Sequence, residues 1–191
     1  MQIAYLHGFQ SGPKAIKAQI FEKELKHLCP HTEFVSLDFP DTPKEALAVL
    51  KNFCIKYKKE ELCLVGSSMG GFLAAVLHSI YGFKAALINP CVHPQDFCQV
   101  LLGKQYNPCT DTYFEITKEM IEYLKVLDKK ALNFDKESLL VLLQTGDEVL
   151  NYKKSEDYFK GCNIKVTPGG SHAYDNFEKD VPLILSFFHL L

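Results

Sequence analysis

Residues 61–82 read ELCLVGSSMGGFLAAVLHSIYG, and the period of the apolar residues changes inside this stretch. Leu62–Val65 is a short unbroken apolar run, the pattern of a strand covered on both faces. From Phe72 onward, Phe72, Ala75, Val76 and Ile80 recur at helical spacing. A buried strand that turns so quickly into a helix needs a sharp corner, and the corner is Gly66-Ser67-Ser68-Met69-Gly70. This fits G-x-S-x-G with Ser68 in the central place. At such a corner the residues two before and two after the apex nearly touch, so neither can carry a bulky side chain. Ser67 would need small residues at Val65 and Met69, which they are not. Ser68 is therefore the candidate apex, strained, with its side chain out of the sheet and the first amides of the helix aimed at the same point. Taken alone, the pattern also suits a tight helix-packing turn.

The rest of the chain alternates in the same way. Strands are expected at Ile3–Leu6, Phe34–Phe39, Leu62–Val65, Ala85–Ile88, Leu139–Leu143 and Ile164–Thr167. Helices are expected at Pro13–Leu28, after Thr42, at Met69–Tyr81, at Thr117–Leu127, near Tyr152–Phe159 and at the C-terminal end. Thr42 with Glu45 three residues on reads as a capping box, with Pro43 at the first helical position. Short apolar strands separated by amphipathic helices imply an α/β fold with a mostly parallel, six-stranded, doubly wound sheet. Residues 91–137 break the rhythm and hold scattered aromatics, so they read as a small cap insertion within one domain of residues 1–191.

In such sheets the chemistry collects at the carboxyl ends of the strands. A serine hydroxyl needs a base, and the base needs an orienting acid. Strand Leu139–Leu143 runs out into Gln144-Thr145-Gly146-Asp147, and strand Ile164–Thr167 into Pro168-Gly169-Gly170-Ser171-His172. Asp147 and His172 thus follow Ser68 in the order serine, acid, histidine. Glu148 is the weaker choice of acid, and the loop opening Asn89-Pro90 offers no carboxylate. Separately, Asp147 reads as an ordinary turn residue and His172 as a loop histidine; the joint pattern favours a triad. Tyr5-Leu6-His7-Gly8-Phe9 ends the first strand, where Gly8 permits close approach and the amide of Phe9 would join that of Met69 in an oxyanion hole. His7 is expected to be structural, and His27, His31, His78, His93 and His189 to be surface or cap residues.

Composition narrows the partners. The formal charge of −2 gives no electrostatic case for nucleic acid, and all 21 basic residues are lysine, which removes the guanidinium fork suited to phosphate. Seven cysteines without a C-x-x-C pair, and an N-terminus without a basic leader, suggest a cytoplasmic setting. Cys91, His93, Cys98 and Cys109 match no common zinc spacing. No apolar run is long enough for a membrane span. The chemistry needs no cofactor or metal.

"YLHGFQSGPKA", "LVGSSMGGF", "LINPCVHP", "LLLQTGDEVLNY" and "GGSHAYDNFE" together resemble the YqiA-type esterases, a small α/β-hydrolase family, over residue 3 to near the C-terminus. The resemblance implies hydrolysis of a small-molecule acyl ester or thioester by a triad carried onto Ser68, Asp147 and His172. It also implies a sheet lacking the first two strands of larger hydrolases. Ser171 departs from it, since an acidic residue is expected before the histidine. An amidase, a C–C bond hydrolase or a non-catalytic binding scaffold would use the same frame. Tyr106, Tyr113, Phe114 and Tyr123 of the insertion would line an acyl pocket or form its own small core.

Overall fold

Strands that are apolar on both sides demand cover on both sides, and the computed structural model, which describes all 191 residues, supplies it. The main sheet holds β1 (Gln2–Leu6), β2 (Glu33–Ser36), β3 (Leu62–Ser67), β4 (Lys84–Ile88), β7 (Leu139–Gln144) and β8 (Asn163–Thr167), in the order β2-β1-β3-β4-β7-β8. Every neighbouring pair is parallel. Leu6 pairs with Gly66 and Ser67 with Ile88, so the carboxyl ends of β1, β3 and β4 lie side by side.

Alternate residues go to opposite faces. Tyr5, Val65, Ile88 and Leu142 pack with Phe21 of α1 (Ile16–Leu28) and with Ile184 of α7 (Val181–Phe187). Ala4, Leu64, Leu87 and Val141 pack on the other side with α2 (Pro43–Cys54) and α3 (Met69–Tyr81). Helix α3 is buried throughout its first ten residues, Met69–His78, because α5 (Lys118–Ala131) covers the side that the sheet leaves open.

Four expectations shift. Strand β2 ends at Ser36 instead of Phe39, since the Leu37 amide makes the last bond to the Tyr5 carbonyl and Pro40 has no donor to continue the ladder. Helix α1 begins at Ile16 instead of Pro13, because Gly12–Ala15 closes a turn of its own and Ala15 is extended. Thr42 caps α2 by position, but its hydroxyl bonds the Glu45 carboxylate and makes no bond to the helix amides. Residues 91–137 contain more order than their patterning showed: α4 (Pro94–Gln99), an antiparallel ribbon of β5 (Gly103–Asn107) and β6 (Thr112–Ile116), and α5. The ribbon escapes a periodicity reading because Lys104, Tyr106, Tyr113 and Glu115 stand in solvent and only Asn107 and Ile116 are buried. Ile116, Ile121 and Leu124 join the cluster that holds α2 and α3 to the sheet.

His27, His31 and His189 are exposed, as expected. His93 lies after β4 in a left-handed conformation, with Nδ1 2.8 Å from Asp128. His78 is not a surface residue: it is buried in α3, with Nδ1–H donating to the Phe83 carbonyl at 2.6 Å and Nε2 accepting from the Asp135 amide at 3.0 Å. Both nitrogens are used by the neutral ring, and burial, the largest influence, holds its pKa below the usual 6.5. The unfolded chain therefore takes up this proton at a pH where the folded one does not, so stability is full above about pH 6.5 and falls as pH drops toward the folded value. The urea midpoint is expected to decline from pH 7 to pH 5, and less steeply in His78→Gln; an equal slope in both proteins would exclude His78 as a source.

Candidate active site

The corner after β3 has the strained shape its sequence requires. Ser68 has φ 55° and ψ −120°, a region that a non-glycine residue enters only under constraint. The constraint is visible. Its amide donates to the Ile88 carbonyl at 3.0 Å, and its carbonyl accepts from the amides of Cys91 at 3.0 Å and Phe72 at 3.2 Å. A Cβ on Gly66 would stand 2.3 Å from the Gly70 carbonyl oxygen, and one on Gly70 would stand 2.2 Å from that of Leu6. Ser67 belongs to β3 and is buried.

His172 and Asp147 arrive from the two neighbouring strand ends. His172 Nε2 lies 3.1 Å from Ser68 Oγ, and Nδ1 lies 2.8 Å from Asp147 Oδ2. With Nδ1–H donating to the carboxylate, Nε2 is free to accept from the serine hydroxyl. The other oxygen of Asp147 accepts from the amides of Val149 at 2.9 Å and Leu150 at 2.7 Å, which fixes the plane of the carboxylate. Glu148 does not approach the ring: it accepts from the main-chain amide of His172 at 2.9 Å, and that amide, more than anything else, lowers its pKa.

Two buried side chains that the motif reading passed over hold the histidine loop. Asn89 donates to the Ser171 carbonyl at 3.0 Å and accepts from the Gln144 amide at 3.0 Å. Gln144 Oε1 accepts from the amides of Ser171 at 3.1 Å and Asp175 at 2.8 Å, while Nε2 donates to the Asp175 carbonyl at 2.8 Å. The signal available in the sequence is a polar amide closing an otherwise apolar strand, as in LINP and LLLQTG. Glycine is obligatory opposite them, since a Cβ on Gly170, at φ 75°, would fall 2.0 Å from Gln144 Oε1. Ser171, the departure from the expected acidic residue, donates to the Asp175 carboxylate at 2.6 Å.

The end of β1 comes against the serine. A Cβ on Gly8 would be 3.3 Å from Ser68 Cβ. The Phe9 amide donates to no protein acceptor, and the Met69 amide opens α3, where no helical carbonyl precedes it. His7 is structural as expected, with Nδ1 3.0 Å from the Gly8 carbonyl oxygen and its ring stacked 4.0 Å from Phe39. Burial, the largest influence, lowers its pKa.

A cleft of about 970 Å³ opens beside Ser68 and His172, walled by Ala15 and Ile20 of the α1 side and by Tyr174 and Phe177. None of Tyr106, Tyr113, Phe114 and Tyr123 lines it. Tyr106 and Tyr113 pair across the ribbon with centroids 4.9 Å apart and face solvent. Phe114 packs edge-on against Phe9 at 5.5 Å, and Tyr123 borders a separate groove beside Glu45. The insertion reaches the cleft only through Cys109 and Thr110, at the tip of the ribbon. Cys91 and Cys98 lie in the core, and burial raises both thiols, Cys98 to about 11. No helix is long and apolar enough to cross a membrane.

The sequence profile of an uncharacterised protein family, UPF0227, matches residues 2–189. The chain belongs to this family. The match agrees with the YqiA-type resemblance carried by the motifs. A UPF0227 protein of Shewanella woodyi is 26% identical over 194 residues, covering 97% of this chain and 98% of its own length. Among solved structures, Est1E of Butyrivibrio proteoclasticus with bound ferulic acid is similar at a TM-score of 0.69 and 16% identity, over 99% of this chain and 88% of that one. Alpha/beta hydrolase domain-containing protein 10 of mouse is similar at a TM-score of 0.67 and 17% identity, over 98% and 88%. The UPF0227 chain has the α/β-hydrolase fold.

The weight placed on Gln144 is measurable. Gln144→Leu keeps the volume but leaves the Ser171 and Asp175 amides without their acceptor. Both bonds are part-buried, so a total loss of about 1–3 kcal/mol is expected, read as a lower urea midpoint at unchanged slope. A midpoint equal to that of the unaltered protein would mean the loop holds itself.

Proposed function

We propose that this protein is a cofactor-independent serine hydrolase acting on a small-molecule acyl ester or thioester, with Ser68 as nucleophile, His172 as base and Asp147 as the orienting acid. The observation that carries the reading is the continuous hydrogen-bonded line from Ser68 Oγ through the His172 ring to Asp147, at 3.1 and 2.8 Å, on a strained corner. Ser68 Oγ attacks the acyl carbonyl while His172 Nε2 takes its proton, and the amides of Phe9 and Met69 hold the oxyanion. His172 then returns the proton to the leaving alcohol or thiol. Water, deprotonated by the same nitrogen, attacks the acyl-enzyme carbonyl; the bond to Ser68 Oγ breaks, Nε2 returns the proton to that oxygen, and the acid is released. Asp147 keeps the proton-donating edge of the ring turned toward itself and stabilises the imidazolium.

The chain acts as one domain of residues 1–191, with 91–137 as an insertion. The cleft of about 970 Å³ is the substrate site. Ferulic acid on the similar Est1E is the reason to include aryl esters beside alkyl esters and thioesters in a first panel. Seven unpaired cysteines fit the reducing cytoplasm.

The test is a set of single substitutions on p-nitrophenyl acetate, with fluorophosphonate labelling. Ser68→Ala is expected to abolish labelling and lower turnover by roughly 10⁶, as for a triad acting as a unit, whereas Ser67→Ala keeps most activity. Asp147→Asn is expected to lower turnover by roughly 10⁴ through the wrong ring tautomer, and Glu148→Gln by far less. Labelling retained in Ser68→Ala would overturn the assignment of the nucleophile, and the reverse ranking of Asp147 and Glu148 that of the acid.

A further inference from the structure

The insertion contributes little to the wall of the cleft, yet it grips the loop that follows β1. Asp41, after β2, accepts from the Gln10 amide at 3.1 Å through one carboxylate oxygen and from Asn107 Nδ2 at 2.8 Å through the other. Asn107 Nδ2 also donates to the Ser11 carbonyl at 2.9 Å, and its Oδ1 accepts from the Cys109 amide at 2.9 Å. The Phe9 ring meets Phe97 edge-on at 5.8 Å and Phe114 at 5.5 Å, and Gln10 Nε2 donates to Gln105 Oε1 at 3.3 Å. The Ser11 carbonyl and the Phe9 side chain are thus tied to the insertion directly and the Gln10 amide through Asp41, while the Phe9 amide itself makes no bond within the protein.

We infer that Asn107 and Asp41 are positioning residues for the proposed hydrolysis, holding the Phe9 amide on the oxyanion, so that the insertion governs rate and not acyl selectivity. This rests on the serine-hydrolase reading. Gln10 stands at φ 51°, where a non-glycine side chain remains only if its surroundings hold it. Release of its amide lets the backbone relax, and the preceding residue turns with it. A misaimed oxyanion donor is lost chiefly in the transition state, so the defect falls on kcat and spares KM. The plainer role for Asn107 is to close the turn of the β5–β6 ribbon. That role explains the bond to Cys109, but it requires neither burial to 1% exposure nor a charged partner 66 residues away.

A reciprocal exchange separates the two. Kinetics on p-nitrophenyl acetate and octanoate, fluorophosphonate labelling and thermal melts are compared for the unaltered protein, Asn107→Asp, Asp41→Asn and the double variant Asp41→Asn/Asn107→Asp. In Asn107→Asp two carboxylates face each other, and kcat is expected to fall about 100-fold on both esters, near the loss of one oxyanion donor, with KM little changed. The double variant restores donor opposite acceptor between positions 41 and 107 and keeps an acceptor for the Gln10 amide, while the Ser11 carbonyl still lacks its donor, so it is expected to recover part of kcat. Normal kcat in Asn107→Asp with a lowered melting temperature would assign Asn107 to the turn alone. A change in the acetate-to-octanoate ratio with acetate turnover intact would make the insertion a selectivity element, and would also overturn the inference. If Asn107→Asp does not fold, Asp41→Asn decides, since it sets two amides against each other and leaves the Ser11 bond in place: normal kcat there has the same force. An unaltered protein that neither labels nor turns over either ester removes the serine-hydrolase reading itself.

Discussion

The structure depends on holding one serine in a conformation it does not prefer. A non-glycine residue at φ 55° costs on the order of 1–3 kcal/mol, so Ser68 keeps that geometry only while its neighbours over-determine it. Its amide is fixed by β4, its carbonyl by the turn into residue 91, and the helix beyond it by burial. Burying Phe72 alone contributes about 1.5–3 kcal/mol. Leu73, Val76 and Leu77 add to it on other sides of α3. The apolar excess of α3, hydrophobic nearly all round, is thus connected to the corner: it anchors the far end of a strained turn.

A second constraint follows from the first. A histidine that must meet Ser68 across the sheet cannot hang on a free loop, because the hydrogen bond at 3.1 Å tolerates little displacement. Asn89 and Gln144, at the ends of adjacent strands, convert the rigidity of the sheet into rigidity of residues 171–175 through the hydrogen bonds of their buried side-chain amides. A buried amide is stabilising only when every group is paired, and these two are paired on several sides. Lys17 of α1 adds a brace from the cleft side, donating to the Ala173 carbonyl at 2.9 Å.

What was legible in the sequence is what local sterics and period dictate. The six strands, their parallel pairing, the glycines of the corner and the order serine, aspartate, histidine all follow from rules that act within a few residues. The polar braces were not legible, because nothing local tells an Asn that ends a strand from one that opens a turn. Asn89 offers no carboxylate, and its value lies in bonding the ends of two other segments. His78 misled for a related reason: a histidine late in a helix looks solvent-facing until the loop carrying Asp135 folds over it. The ribbon of residues 103–116 was invisible because the inward positions of β5 are Gly103, Gln105 and Asn107 while Tyr106 and Tyr113 point outward, so the apolar-in, polar-out alternation of a half-covered strand is not written there.

The position of the cleft sets which segments can tune the chemistry. Its walls come from the start of α1 and from residues 172–178, on the opposite side of the sheet from α2, α3 and α5. Of the insertion's aromatics, Phe97 and Phe114 pack on Phe9, Tyr106 and Tyr113 face solvent, and none borders the cleft, so they bear on the loop next to the serine more than on the volume of the pocket. Under the proposed hydrolysis, substrate preference would drift through residues such as Ile16 and Ile20, which line the cleft and carry no hydrogen bond of the site. Changes near Phe9, Gln10 and Asn107 disturb geometry on which every substrate would depend. Two parts of the surface that look equally peripheral in the sequence are unequal in the fold: one borders empty space and the other holds an amide in place.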